Sequence, residues 1–181
     1  MNDSAASSGD QAAPNSAGIE TVERDGLVAR LDTALETPPV GIILIELLID
    51  QGRSMGQGQN TRDNETLLDE AVLQRIAEQA EPGDSTLCTG PGGLALIRSA
   101  TSAPAESEGL AYRVQKSLVD AVSIGDWQIH CQAAIGVASS LKGDTGEMLL
   151  RYAEHALSDA RMLGADTVVV FDDLDRELLH P

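Results

Sequence analysis

One run of apolar residues constrains the fold of this chain more than any other feature. Between Val40 and Ile49 every residue is apolar except Gly41 and Glu46. The run is too short to cross a bilayer, and it is apolar on both of the faces that a strand presents alternately. It therefore predicts a central strand that is buried on both sides.

The segments on either side of this strand have the spacing of helices or the composition of strands. Apolar residues recur at helical intervals in 21–36, 67–80, 110–122 and 145–163. Strand-like runs occur at 85–89, 94–99, 127–138 and 167–171. Residues 101–107 are predicted to form a loop. The last helix has Asp144 as its predicted N-cap and Gly164 as its stop.

The order of these elements narrows the choice of fold. At its centre the chain contains a strand, a helix, two strands, a helix and a strand, which is the ferredoxin-like arrangement. We therefore expect an α+β fold of the palm type, with an antiparallel sheet and helices packed on its faces. A hairpin turn is expected at residues 90–93, where Gly, Pro, Gly and Gly separate two strands.

One domain, residues 19–172, accounts for the middle of the chain. Residues 1–18 contain no large apolar side chain except Met1, so they cannot bury enough surface to offset their ordering entropy. We expect them to form a disordered tail. Residues 173–181 are expected to be an acidic C-terminal tail, and the polar stretch 51–64 is expected to be a long loop.

The charge of the chain excludes several classes of partner. Twelve Lys and Arg residues against 29 Asp and Glu residues give a formal net charge of −17. This charge argues against nucleic acid, whose affinity comes largely from phosphate contacts, and against anionic lipid. The two cysteines and three histidines have no ligand spacing, so no metal or cofactor is expected. No signal peptide is visible, and a cytoplasmic location is expected.

Two stretches carry a resemblance to a known family. Residues 153–166 are A-E-H-A-L-S-D-A-R-M-L-G-A-D, and residues 134–138 are A-I-G-V-A. The first resembles the A-D-x-A-L-x-x-A-K-x-x-G-x-N helix end of GGDEF domains, the diguanylate cyclase family, and the second resembles their S-I-G-V-A strand. The resemblance extends over about residues 24–171. It implies the GGDEF or nucleotide cyclase-like fold.

The resemblance also implies that the family's signature falls on the predicted hairpin. Counted back from the following strand, G-G-D-E-F falls on Gly90, Pro91, Gly92, Gly93 and Leu94. In active members the two carboxylates bind Mg²⁺ and assist the attack of a 3′-hydroxyl on an α-phosphate. Glycine has no side chain to offer, so the resemblance implies a domain that lacks these catalytic carboxylates.

Three other positions correspond to nucleotide-binding positions of the family. Glu46 corresponds to the metal-binding Asp of the first strand, Glu70 to the guanine-binding Asp, and Arg161 to a phosphate-binding Lys. Each also has a structural interpretation. Glu46 would be a carboxylate that faces solvent, Glu70 would stabilise the N-terminus of its helix, and Arg161 would stabilise the C-terminus of its helix. The lysine expected after the first strand is absent, because Gln51 occupies its position.

The inhibitory R-x-x-D motif of the family falls on residues 81–84. Asp84 is retained, but Glu81 replaces the arginine. A glutamate would repel the phosphates of cyclic di-GMP, so the resemblance implies the loss of this site. Asp84 has the alternative role of holding the turn before the strand.

Two classes of function remain. The first is a catalytically inactive GGDEF-like module that binds a protein partner or self-associates, in bacterial signalling or regulation. The second is a regulatory domain that binds GTP or cyclic di-GMP, with residual cyclase activity as its extreme form. The acidic composition further predicts a salt-sensitive association with a basic partner surface.

Overall fold

The computed structural model of the chain describes residues 19–49, 70–99, 104–124 and 127–172. The two predicted tails, 1–18 and 173–181, and the predicted loop 51–64 lie outside the described residues. Within the described part, no helix is long and apolar enough to cross a membrane.

A six-stranded mixed sheet forms the centre of the fold. Its strands and those of a separate two-stranded sheet are β1 (Glu20–Thr21), β2 (Gly41–Ile49), β3 (Ser85–Gly90), β4 (Gly93–Arg98), β5 (Val122–Ile124), β6 (Trp127–Ile129), β7 (Cys131–Ser139) and β8 (Thr167–Val170). The order in the large sheet is β1-β3-β4-β2-β7-β8. Its four inner strands are antiparallel, and the two edge strands pair in parallel with their neighbours. The inner order is that of the ferredoxin-like arrangement, which confirms the predicted fold class.

The apolar run is the central strand, as predicted, because β2 lies between β4 and β7. Its alternate residues enter two separate cores. Ile43 and Ile45 pack on one face, and Ile42 and Leu44 pack on the other. Helices on both faces are therefore needed to bury a strand without a polar side.

Four helices supply this cover: α1 (Arg24–Ala34), α2 (residues 70–77), α3 (Pro104–Val119) and α4 (Gly146–Leu163). Helices α2 and α3 cover the face of Ile43, and α1 and α4 cover the face of Ile42. Helix α4 ends at Gly164, whose φ of 117° is accessible to glycine, so the predicted stop is confirmed.

The contact between α4 and β7 depends on one glycine in the A-I-G-V-A stretch. A Cβ atom built on Gly136 would lie 2.3 Å from the backbone nitrogen of Leu157 and 2.6 Å from the carbonyl oxygen of Ala153. Both atoms belong to the backbone and cannot move aside without shifting the helix. The two stretches that carry the family resemblance are thus the two sides of one close packing contact.

Several predicted boundaries were wrong. Val122 continues the helical spacing of α3 but lies in β5, and the predicted strand 127–138 is divided into β6 and β7. Helix α3 already begins at Pro104, inside the predicted loop, and Thr21 belongs to β1 instead of α1. The N-cap of α4 is Thr145, whose Oγ1 accepts a hydrogen bond from the Met148 N–H at 3.2 Å. The Asp144 carboxylate instead accepts a hydrogen bond from the Leu141 N–H.

Candidate functional site

The hairpin predicted at residues 90–93 joins β3 to β4 through a tighter turn than its composition suggests. Gly90 pairs with Gly93, so only Pro91 and Gly92 form the turn. Gly92 has a φ of 67°. A proline followed by a glycine with positive φ has the residue types that a type II turn requires.

The hairpin tip is attached to the central strand. The Leu47 N–H donates a hydrogen bond of 2.8 Å to the carbonyl oxygen of Gly92, and Gly93 lies opposite Glu46 in the β2–β4 register. A Cβ atom at Gly93 would lie 2.7 Å from Oγ1 of Thr89. The tip therefore offers backbone groups and the ring of Pro91, and no carboxylate.

A first cavity opens beside the hairpin, on the face of the sheet that α1 and α4 cover. Its volume is about 430 Å³. It is lined by Arg24, Leu27, Leu44, Ile45, Glu46, Thr89, Gly93, Leu94, Leu150, Glu154, Leu157 and Arg161. We call it the α1–α4 cavity. Its leucines form an apolar floor, and its charged side chains come from three different elements.

Both carboxylates that line the α1–α4 cavity are held by guanidinium groups. Glu46 accepts a hydrogen bond from Arg161, and Glu154 accepts one from Arg24 at 3.3 Å. Arg24 also binds Glu147 at 2.7 Å, and this contact raises the pKa of the Arg24 guanidinium and lowers the pKa of the Glu147 carboxyl. The structure thus brings together Glu46 and Arg161, as the sequence-based hypothesis requires, but as an ion pair with each other.

Glu70, the third predicted nucleotide-binding residue, lies elsewhere. It lines a second cavity of about 330 Å³ on the opposite face of the sheet, together with Leu73, Cys88 and the hairpin residues. Gly93 and Leu94 border both cavities. The predicted set is therefore divided between two cavities that the hairpin separates.

The predicted inhibitory-site residues belong to a charged cluster at the start of β3. The Asp84 carboxylate accepts hydrogen bonds from Nε and Nη2 of Arg98, at 3.1 and 2.9 Å, and from the Glu81 N–H at 2.8 Å. Glu81 in turn lies 3.0 Å from both Arg98 and Arg113. The hydrogen bond to Asp84 raises the pKa of the Arg98 guanidinium above its ordinary value. Asp84 holds the turn, as one of the two interpretations proposed.

The sequence did not lead us to two arginines of these sites, Arg98 in the charged cluster and Arg24 in the α1–α4 cavity. Arg98 is 6% exposed and ends the apolar strand β4, so a signal was present: a buried arginine needs a carboxylate. Arg24 carried no such signal, because it is the exposed first residue of α1 and its partners Glu147 and Glu154 are distant in the sequence.

Comparison with solved structures places this geometry in a known fold. The GGDEF domain of YfiN (TpbB) from Pseudomonas aeruginosa superposes with a TM-score of 0.70 at 18% sequence identity, over 84% of this chain and 97% of that one. An EAL/GGDEF domain protein from M. capsulatus gives 0.62 at 24% identity, over 82% and 98%. The chain has the fold of a GGDEF domain. No family model matches its sequence, and no curated protein sequence matches it.

A third similar structure is a complex of two proteins. The diguanylate cyclase SiaD of Pseudomonas aeruginosa, solved with its activator SiaC, superposes with a TM-score of 0.69 at 18% identity. The match covers 88% of this chain and 62% of SiaD. The GGDEF-like fold therefore occurs in a protein that has been solved together with a protein partner.

The residues at the hairpin of this GGDEF-like domain do not fit the Mg²⁺ that the family resemblance implies. Magnesium prefers several oxygen ligands in near-octahedral geometry. Here residues 92 and 93 are glycines, and Glu46, the carboxylate opposite Gly93, is bound to Arg161. Among the described residues, no group of three or more Asp, Glu, His or Cys side chains is arranged to hold a metal ion.

Proposed function

We propose that this chain is a non-catalytic GGDEF-like module that acts by binding a protein partner or a second copy of itself, in bacterial signalling or regulation. One observation carries the proposal: the only two carboxylates among the described residues that line the α1–α4 cavity are each bound to an arginine. Phosphoryl transfer by metal ions needs carboxylates that are free to coordinate them.

The same ion pairs occupy the cations that a triphosphate would need. Arg161 is bound to Glu46 and Arg24 to Glu147 and Glu154, so a phosphate group would have to displace a carboxylate to reach either guanidinium. The complex of SiaD with its activator supports the binding part of the proposal, because it shows that a protein with this fold is found with a protein partner.

The test is an assay of GTP turnover by the purified protein with Mg²⁺ and with Mn²⁺. We expect neither pyrophosphate nor cyclic di-GMP above the level of a Glu46→Gln control. Formation of cyclic di-GMP that the Glu46→Gln substitution abolishes would overturn the proposal. Sedimentation of the same sample then distinguishes a self-associating module from one that needs another protein.

A second candidate function, nucleotide binding without turnover, is favoured by the two cavities that border the hairpin. Thermal unfolding with GTP and Mg²⁺, and separately with cyclic di-GMP, tests it. A ligand at 100 times its Kd adds about 2.7 kcal/mol of stability. For a domain of this size that gain raises Tm by about 5–10 °C. An unchanged Tm with both ligands eliminates this candidate.

A further inference from the structure

We infer that the α1–α4 cavity is a docking site for a basic amphipathic segment of a partner protein, with one apolar side chain seated in the cavity. The inference rests on the proposed binding function and adds to it the surface and the chemistry of the partner. Two properties of the described residues carry it, namely the apolar floor of the cavity and the charge that surrounds it.

The cavity has the form of an anchor pocket. Leu27, Leu44, Leu150 and Leu157 form its floor, and its volume of about 430 Å³ is in the range of pockets that hold a large side chain or a small ligand. The charges at its rim, Arg24 with Glu154 and Arg161 with Glu46, are paired and sum to zero. A neutral pocket with an apolar floor accepts a large apolar side chain, and Trp is enriched among the residues that anchor interfaces.

The surface around the cavity is acidic. The described residues 19–36, 46 and 140–163 hold ten carboxylates against five cationic side chains, four arginines and Lys142. The described residues of the opposite face, 70–84, 98 and 104–120, hold seven carboxylates against four cationic side chains. The excess of negative charge is therefore larger on the face that contains the α1–α4 cavity.

The acidic excess extends to the rim of the cavity. Arg24 and Arg161 are bound to carboxylates, so neither guanidinium presents an unbalanced positive charge. Glu23 and Asp25 are exposed at the start of α1, next to the cavity-lining Arg24. A segment with lysines or arginines around its apolar anchor would meet complementary charge there, whereas an acidic segment would be repelled.

A synthetic peptide provides the probe. It is an amphipathic helix of about 18 residues, five turns, made of leucine and lysine with one tryptophan on its apolar face. The comparison peptide has glutamate in place of every lysine. Titration is followed by tryptophan fluorescence at about 0.05 M and 0.3 M salt, between which charge screening increases strongly. We expect the lysine peptide to bind, more weakly at high salt, and the glutamate peptide not to bind.

Two pairs of variants locate the binding site. Thr89 is exposed and lines the cavity, so the larger side chain of Thr89→Trp should obstruct it. We expect the affinity for the lysine peptide to fall by about tenfold or more, as when an anchor residue of an interface loses its pocket. Ser85→Trp, at the exposed far end of the same strand, is the control. Glu23→Gln with Asp25→Asn should weaken binding more than Glu108→Gln with Asp120→Asn, which changes the net charge equally on the opposite face.

Equal effects of the two charge variants, or undiminished binding to Thr89→Trp, would overturn the inference, because the attraction would then be unspecific. Binding of the glutamate peptide would overturn the chemistry assigned to the partner. These results are independent of the GTP assay. Turnover of GTP would overturn the proposed function. If the protein neither turns over GTP nor binds the lysine peptide, only this docking site is overturned.

Discussion

At the scale of the single residue, Gly136 is the described glycine with the least room for a side chain. The missing side chain allows β7 to approach α4, and an added Cβ atom would lie 2.3 Å from the Leu157 nitrogen. We expect Gly136→Ala to destabilise the protein by about 3 kcal/mol, at the upper end of the range for overpacked cores, because only backbone is in the way. For a domain of this size, Tm should fall by about 6–12 °C.

Gly109→Ala is the matched control for this substitution. Gly109 lies inside α3, and the nearest atom to its added Cβ is the flexible end of Arg113 at 4.0 Å. An alanine in the middle of a helix is about 0.5–1 kcal/mol more favourable than a glycine, so Tm should rise slightly. If Gly136→Ala unfolded at the same temperature as the native protein, α4 would not pack on β7 as described.

The cluster around Arg98 shows which residues the sequence could not assign. The sequence could predict Asp84 as a turn residue, because this role depends only on near neighbours. The Asp84 carboxylate accepts a hydrogen bond from the Glu81 N–H, three residues away. Its ion pair with Arg98 joins the turn to the end of β4, and no local pattern indicates which carboxylate a buried arginine will meet. Pairings of this kind depend on register and on the sheet order, which appear only in the folded chain.

At the scale of the element, the predictions succeeded for the type of most elements and failed mainly at the points where one element ends and the next begins. Strand β2 and helix α4 were both confirmed. Strand β5 has three residues, and Val122 fits both the end of a helix and a strand. In the candidate site, too, only the features that depend on neighbouring residues could be predicted. The hairpin was predicted from its glycines, whereas the partition of Glu46 and Glu70 onto opposite faces required the packing of α1 and α2.

Helices α1 and α4 are joined by an ion pair whose strength depends on pH. The hydrogen bond from Arg24 lowers the pKa of Glu147 in the folded protein below its ordinary value of 4.5. A carboxyl group with a lowered pKa contributes stability above its unfolded pKa, and this contribution is lost as the pH falls through the folded value. The native protein should therefore be more stable than Glu147→Gln at pH 7, and the difference should vanish in acid.

Chemical denaturation at a series of pH values measures this difference directly. Glu108→Gln serves as the control, since Glu108 lies on α3, away from the α1–α4 contact. The free energy of unfolding of Glu108→Gln, relative to that of the native protein, should change less with pH than that of Glu147→Gln. A Glu147→Gln difference in unfolding free energy that stayed unchanged from pH 7 into acid would mean that the ionised Arg24–Glu147 contact does not contribute to stability.

At the scale of the whole molecule, the net charge of −17 acts against the folded state. Folding brings like charges closer together, so they repel each other more strongly, and salt screens this repulsion beyond about 10 Å at 0.1 M. We expect added NaCl to raise Tm at pH 7, even though it weakens exposed ion pairs such as Arg30–Glu20. The sequence has an isoelectric point near 4.3, where the repulsion disappears.

The two contributions can be separated by measuring Tm against NaCl concentration at pH 7 and near the isoelectric point. At pH 7 the screening of repulsion dominates and Tm should rise with salt. Near pH 4.3 the chain has no net charge and therefore no overall repulsion to be screened, so the slope should be flat or negative. A negative slope at pH 7 would mean that the exposed ion pairs outweigh the excess of carboxylates. In that case the acidic field that the docking inference requires would be too weak to attract a basic segment.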